Sequence, residues 1–367
     1  MTDGRQRFDY IDQFRGLIVI LMLIDHCSYY LNSAWKHFNP LNPLFDGWEQ
    51  TALRYSSYFC APGFLLVAGT MAWWSFHNSI RKGITLWSIR WHLIQRGLFL
   101  ILLQITWVNS SWSGFNKFHP WHLGIIASIG ISLILIAFIV NIRWYIQLGI
   151  AVLILTTHPF LLQISYDPNI AWQIGIIQTF IDASSFNKYP VLPWFAMSIL
   201  GSVMAHGWLQ AWKTDQQRIN MNIIIAATVL VTAVAIRLNR GYGNVFAFSE
   251  FGSWSFFIDQ KYPPSLFFSL WFFALSLLTI NLFMALKGKV KWITMIFTIP
   301  GKTPLFFYCI HIAILGIFIK RTGIFYRTGG IWITLIGFVI MMLIMLPLCN
   351  WFYKIKQKSH NFIIRML

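Results

Sequence analysis

The chain has 367 residues, of which 57% are hydrophobic, 18% aromatic and only 11% charged. Globular proteins carry about a quarter charged residues, so this composition excludes a soluble enzyme, a disordered protein and a disulfide-stapled secreted domain. The formal net charge of +17 would suit nucleic acid in a soluble chain; in a membrane chain it reflects Lys and Arg gathered on cytoplasmic loops.

In chain order, ten stretches of about 20 mainly apolar residues read as spans. They cover 11–31, 55–76, 91–110, 120–140, 143–162, 191–211, 219–238, 263–286, 303–320 and 330–352. The expected fold is an all-α polytopic bundle of about ten transmembrane helices, one domain over residues 1–367. The leading MTDGRQRFDY is polar and short and lacks the apolar region of a signal peptide. With the N-terminus inside, 16 basic residues, Arg5 and Arg7 among them, fall inside and 10 outside. That bias favours cytoplasmic N- and C-termini in a multi-pass inner-membrane protein. Lys320, Arg321 and Arg327 run against it. The longest loops, about 162–190 and 239–262, fall outside and could form a lid or a glycan-facing surface. Cys27, Cys60, Cys309 and Cys349 lie in or beside spans without metal-ligand spacing. They read as buried free thiols, and no metal is expected.

A charge at the bilayer centre costs about 2.5–3.5 kcal/mol, so each one is a functional candidate. The first span holds Asp12, Arg15, Asp25 and His26. Arg15 and His26 are 11 residues apart, which puts them within about 20° of one helix face. Either Asp12 and Arg15 pair at the inner interface, or the face runs from an inner Arg to an outer His. His37, beside Lys36, is a solvated loop residue or a second candidate base. Arg54 is an interface anchor or a ligand for an outer anion. Arg96 either snorkels or pairs phosphates bidentately. His119 and His122, at i, i+3, lack a nearby third metal ligand and read as interface packing. His311, near mid-span, is a helix–helix hydrogen-bonding residue or part of a polar tunnel. Pro190, Pro193, Pro263, Pro264 and Pro304 mark helix starts. Arg54, Tyr58, His122 and Lys261, near outer span ends, are candidate acceptor contacts. There is no P-loop, dinucleotide fingerprint, H-E-x-x-H or G-x-S-x-G motif, and no pore-filter sequence.

Six stretches follow one another from residue 10 to about 312: YIDQFRGLIVILMLIDH, RYSSYFCAPGFLLVAGT, RGLFLILLQIT, KYPVLPWFAMSILG, KYPPSLFF and GKTPLFFYCIHI. In this order they resemble the bacterial relatives of heparan-alpha-glucosaminide N-acetyltransferase, a family of transmembrane acyltransferases. The resemblance implies transfer of an acetyl group from cytoplasmic acetyl-CoA to a sugar amine on the far side, with a histidine at the outer end of the path. Extended without gaps, that histidine falls on His37, preceded by Lys36. The Asp-His of the bacterial relatives falls on Asp25 and His26. Two departures bear on the acceptor and the proton chain: Tyr58 stands where those relatives tend to carry His, and Gln104 where they tend to carry Glu.

The expected function is therefore an integral-membrane acyltransferase. It moves an acetyl or other acyl group from acyl-CoA to an outer-face sugar, glycan or lipid-linked acceptor. A transporter or flippase of a lipid-linked or anionic solute is the alternative. His26, or His37 in its place, acts as base or nucleophile, and Asp25 orients it. Arg15 and Arg96 hold the CoA phosphates. The expected partners are the lipid bilayer, acyl-CoA, the acceptor and a second copy in a homodimer, with no nucleic acid.

Overall fold

A computed structural model describes residues 9–39, 42, 44–167, 169–287, 289 and 291–367, the side chains of 291–293 excepted. Arg5 and Arg7, counted toward the inner charge, lie outside the described residues. Helix α1 (Asp9–Leu31) opens with Asp9 and Asp12 in its first turn, where carboxylates complement the helix dipole. A 3-10 turn, Ser33–Lys36, leads on to α2 (Trp48–Tyr58) and α3 (Cys60–Arg81). The joint at Phe59 keeps helical backbone angles, so α2 and α3 form one 34-residue rod. Thr85 caps α4 (Leu86–Leu103), which continues through a π-helical turn, Gln104–Val108, into α5 (Asn109–Trp112). Then come α6 (Ile125–Ile139), α7 (Trp144–Leu161) and α8 (Ala171–Phe180). Helix α9 (Val191–His206) starts after Pro190, and α10 (Asp215–Leu238) starts in a Thr214–Gln217 capping box. The short α11 (Trp254–Phe257) precedes α12 (Leu266–Ala285), capped by Ser265. Helix α13 (Lys291–Lys302) is followed by α14 (Pro304–Leu315), which has Pro304 in its first turn. A π-helical turn, Gly316–Arg321, ends that segment. The chain closes with α15 (Ile331–Lys358) and α16 (Phe362–Met366).

Among the described residues, nine helical segments are long and apolar enough to cross a membrane. The tenth expected span, 120–140, is helical only over the 15 residues of α6. Residues before it are drawn into a loop, where Asn109 donates to the carbonyls of His119 and His122 at 2.7 and 2.9 Å. Helix α6 still runs antiparallel to α4. Gly124 at its start abuts Gln104, and Asn141 beyond its end accepts from Arg90 at 3.2 Å. A second difference is α13: residues 291–302 fall between two expected spans, yet they form a helix against α1 and α15.

The expected helix starts hold for Pro190 and Pro304, whereas Pro263 and Pro264 sit in the loop before the Ser265 cap. All four cysteines are buried and free. Helix α1 is central and touches α2, α3, α12, α13, α14 and α15. Phe14, Ile18, Val19 and Leu23 on it are fully buried. Helices α3 and α9 cross at close range, as do α1 and α13. A methyl on Gly69 would strike the Ser198 carbonyl, and one on Gly201 the Leu66 carbonyl. Only glycine lets two backbones approach so closely. Of the nine membrane-length segments, α10 and α15 are the least buried, and the exposed face of α15 is Trp332, Ile336, Val339 and Leu343. An apolar exposed face is what a multi-pass protein presents to lipid.

Candidate active site

At the Leu31 end of α1 the helices enclose a cavity of about 610 Å³. Asp25, His26, Arg54, Tyr58, His122 and Lys261 all line it, so six of the nine candidate residues from the sequence meet in one place. His37 does not. It is exposed and caps the 3-10 turn after α1.

Asp25 and His26 are neighbours in sequence but point about 100° apart on the helix. The Asp25 carboxylate therefore meets Arg54 rather than the imidazole. Arg54 Nη1 lies 2.9 Å from Oδ2 and 3.1 Å from Oδ1. Its guanidinium also sits over the rings of Trp35 and Tyr58, at 5.0 and 5.2 Å. Its Nε is buried and has no hydrogen bond among the described residues. Lys261 is 6% exposed, and its ammonium lies 5.2 Å from both the Tyr58 and Tyr262 rings. These are cation–π contacts; no carboxylate among the described residues pairs with Lys261. His26 Nδ1 is 2.8 Å from Nε2 of His311 on α14. The two rings are nearly parallel, at 14°, and the Trp112 ring packs edge-on against His26 at 4.9 Å.

Both long loops contribute wall residues, Lys188 and Tyr189 from one and Gln260 and Lys261 from the other. The Tyr189 and Tyr262 hydroxyls lie 3.0 Å apart. Burial, reinforced by that neighbour, holds the Tyr189 phenol well above its ordinary range, so it keeps its proton. Burial likewise lowers the His122 imidazole below its ordinary 6.5, and its Nδ1 lies 2.8 Å from the Ser185 carbonyl. His122 thus ties the 162–190 loop to the cavity rim. Among the described residues no three His, Cys, Asp or Glu side chains come together to hold a metal.

Arg15 and Arg96 lie at the other end. A cavity of about 420 Å³ there is lined by both, with Asp12, Lys356 and Arg365. Arg15 binds Asp12 and the Gly301 carbonyl, so the pairing anticipated for Asp12 and Arg15 coexists with a cavity-facing position. Arg96 has no hydrogen-bond or ion-pair partner among the described residues. A third cavity, of about 150 Å³, shares wall residues with both. It shares Arg15, Met71 and Arg96 with the basic end and Phe64, Ile125 and Tyr308 with the large cavity.

The sequence offers His311 as a helix–helix hydrogen-bonding residue, and its bond to His26 bears that out; it does not mark His311 as part of the site, nor the wall residues Lys320, Arg327, Tyr189 and Tyr262. For two of them a signal existed. Lys320 and Arg327 carry charge against the sidedness bias, and both line the large cavity. Lys320 donates to the Trp112 carbonyl at 2.9 Å, and Arg327 stacks 4.5 Å over Tyr29.

An α-helical, multi-pass membrane protein with a hydrogen-bonded imidazole pair, a cationic aromatic cavity and a basic opposite end is the class that fold and site define. Residues 7–236 match the family described as heparan-alpha-glucosaminide N-acetyltransferase, catalytic. The chain belongs to this family, whose function is of the transmembrane acetyltransferase type. No curated protein matches it. The matched range ends before Lys261 and Tyr308, which line the same cavity, and before His311, which bonds His26.

Proposed function

We propose that the whole chain is a single acyltransferase unit. It moves an acetyl or other acyl group from acyl-CoA at the Arg15–Arg96 end to a sugar, glycan or lipid-linked acceptor at the His26 end. The observation that carries this reading is the run of three cavities sharing walls from Arg365 to His26. Arg15 and His26 are separated by about 16 Å of helix axis, so a donor and an acceptor held at opposite ends could meet inside the bundle. Tyr10 and Arg365 wall the same cavity, which supports both termini lying on one side. In this reading that side is the cytoplasm and the membrane is a bacterial inner membrane. A homodimer remains compatible with the exposed faces of α10 and α15.

Acyl-CoA supplies a thioester carbonyl as the acyl donor. Arg15, Arg96, Lys356 and Arg365 fit its phosphates, and the unpartnered Arg96 is the clearest fit, since guanidinium binds phosphate bidentately. At the far end His26 is the base rather than His37, which lies outside the cavity. His26 takes a proton from the acceptor amine or hydroxyl as that group attacks the carbonyl carbon. The C–S bond breaks, and the leaving thiolate recovers the proton. Asp25 acts through Arg54, keeping the guanidinium in place beside Tyr58. Arg54, Lys188, Lys261, Lys320 and Arg327 face the large cavity against the one lining carboxylate, Asp25, so the acceptor carries an acidic group.

The test is acyl transfer from radiolabelled acetyl-CoA to amino sugars and lipid-linked sugars by the purified protein in detergent. His26→Ala is expected to lower kcat by about 10²–10⁴. Arg96→Met is expected to raise the donor KM about tenfold to a hundredfold, for the loss of about 1.5–3 kcal/mol of charged hydrogen bonding. Solute uptake by proteoliposomes without CoA, combined with no transfer, would replace this reading with a transporter.

A further inference from the structure

We infer that His311 is a positioning residue that holds His26 in the one tautomer able to act as a base toward the cavity. The chemical consequence rests on the acyltransferase reading above; the hydrogen-bond geometry does not. His311 Nδ1 lies 2.7 Å from the carbonyl oxygen of Phe307, one turn earlier on α14. A carbonyl oxygen only accepts, so this Nδ1 carries a hydrogen. A neutral imidazole has a single N–H, so His311 Nε2 bears a lone pair. That lone pair faces His26 Nδ1 at 2.8 Å, and His26 Nδ1 must then be the donor. The remaining nitrogen, His26 Nε2, is left with its lone pair in the cavity, where it has no hydrogen bond among the described residues.

The opposite arrangement needs a cationic His311. Its Nε2–H would donate to His26 Nδ1, and His26 would then present an N–H to the acceptor and could not take a proton. The surroundings disfavour that state. His311 is fully buried, and the carboxylate lining the cavity, Asp25, is already bound to Arg54. The charges that share the cavity with His26 are otherwise cationic, Lys261 and Arg327 among them. A buried imidazolium without a counter-ion is costly. The ring of His26 is held laterally by Trp112 and Tyr308, at 4.9 and 6.1 Å between centroids, so rotation cannot exchange its two nitrogens freely.

During transfer the proton leaves the acceptor for His26 Nε2 and returns to the CoA thiolate as the C–S bond breaks. His26 Nδ1–H stays donated to His311 throughout, and His311 gains and loses nothing. In this arrangement a backbone carbonyl and a neutral imidazole do the orienting that a carboxylate does in a serine-protease triad, where the wrong tautomer costs about 10⁴ in kcat.

The experiment uses the full chain in detergent micelles with 15N-labelled histidine, without substrate, and reads the protonation of each His26 ring nitrogen. The expected result is a protonated Nδ1 and a bare Nε2. His311→Leu removes the acceptor and is expected to release His26 into a mixture of tautomers. It should lower kcat by about 10²–10⁴ while leaving the donor KM unchanged. His311→Gln restores an acceptor oxygen near the Nε2 position and should recover both the tautomer and part of the rate. A wild-type His26 protonated on Nε2, or a His311→Leu protein keeping the wild-type tautomer and kcat, overturns the inference. Wild-type protein with the expected tautomer and no acyl transfer overturns the acyltransferase reading alone.

Discussion

Replacing Arg54 by Met would leave the Asp25 carboxylate, 9% exposed, with no cation against it. At 2.9 Å and an effective dielectric of about 20, the gross attraction between the two groups is about 6 kcal/mol. Much of this offsets the cost of taking both charges out of water, so the pair adds little net stability over an apolar replacement. Removing one partner is different, because the surviving buried charge keeps its full desolvation cost. We expect Arg54→Met to destabilise the fold by about 3–5 kcal/mol. Asp25→Asn should cost less, because an amide can still accept from the guanidinium. The double variant should fall well short of the sum, with a coupling of at least about 2 kcal/mol. SDS titration of the purified protein, followed by tryptophan fluorescence, measures all four corners of the cycle. If Arg54→Met shifts stability by under about 1 kcal/mol, or the two single effects add to within about 0.5 kcal/mol, Asp25 and Arg54 are not the coupled buried pair described above.

Other outcomes follow from the packing. His37→Ala should leave acyl transfer unchanged, since His37 is exposed and outside the cavity wall; loss of activity with an intact fold would move the base from His26. Gly201→Val should destabilise by at least about 1–3 kcal/mol, the usual range for overpacking, because its side chain would meet the Leu66 backbone; the same SDS titration checks it. His122 is neutral in the folded protein at a pH where the unfolded chain begins to protonate, so its contribution is unchanged above about pH 6.5 and turns unfavourable as pH falls through that value. Hydrogen exchange across residues 182–188 should therefore speed up at pH 5.5 relative to pH 7.5 beyond the intrinsic pH effect, and His122→Gln should suppress the excess.

Most of the bundle was legible because lipid imposes a simple demand: about 20 apolar residues per crossing. Helix α13 escaped because it is 12 residues long with lysines at both ends, which in a membrane chain reads as a cytoplasmic loop. The site was legible as a set of residue types but not as a set of pairs. Sequence adjacency suggested that Asp25 serves His26. Helix geometry sends the two side chains apart, and their partners stand 29 and 285 positions away. No local pattern encodes such partners, because they are chosen by which helices pack together. For Arg15 and His26, an 11-residue spacing on one helix separates two residues that line different cavities. Lys320 and Arg327 carried a readable signal of another kind, charge on the side where the bias forbids it.

The narrow middle cavity also bears on the membrane's own energetics. Its wall is mostly apolar, with Val67, Ala68, Leu100, Ile126 and Ile129 along it besides the polar Arg15, His92 and Arg96. A file of water through the same space would let protons leak down a gradient worth about 2.3 kcal/mol per charge at 100 mV. The apolar stretch works against such a file, so the polar cavities at the two ends of α1 are kept apart by a barrier to proton leak.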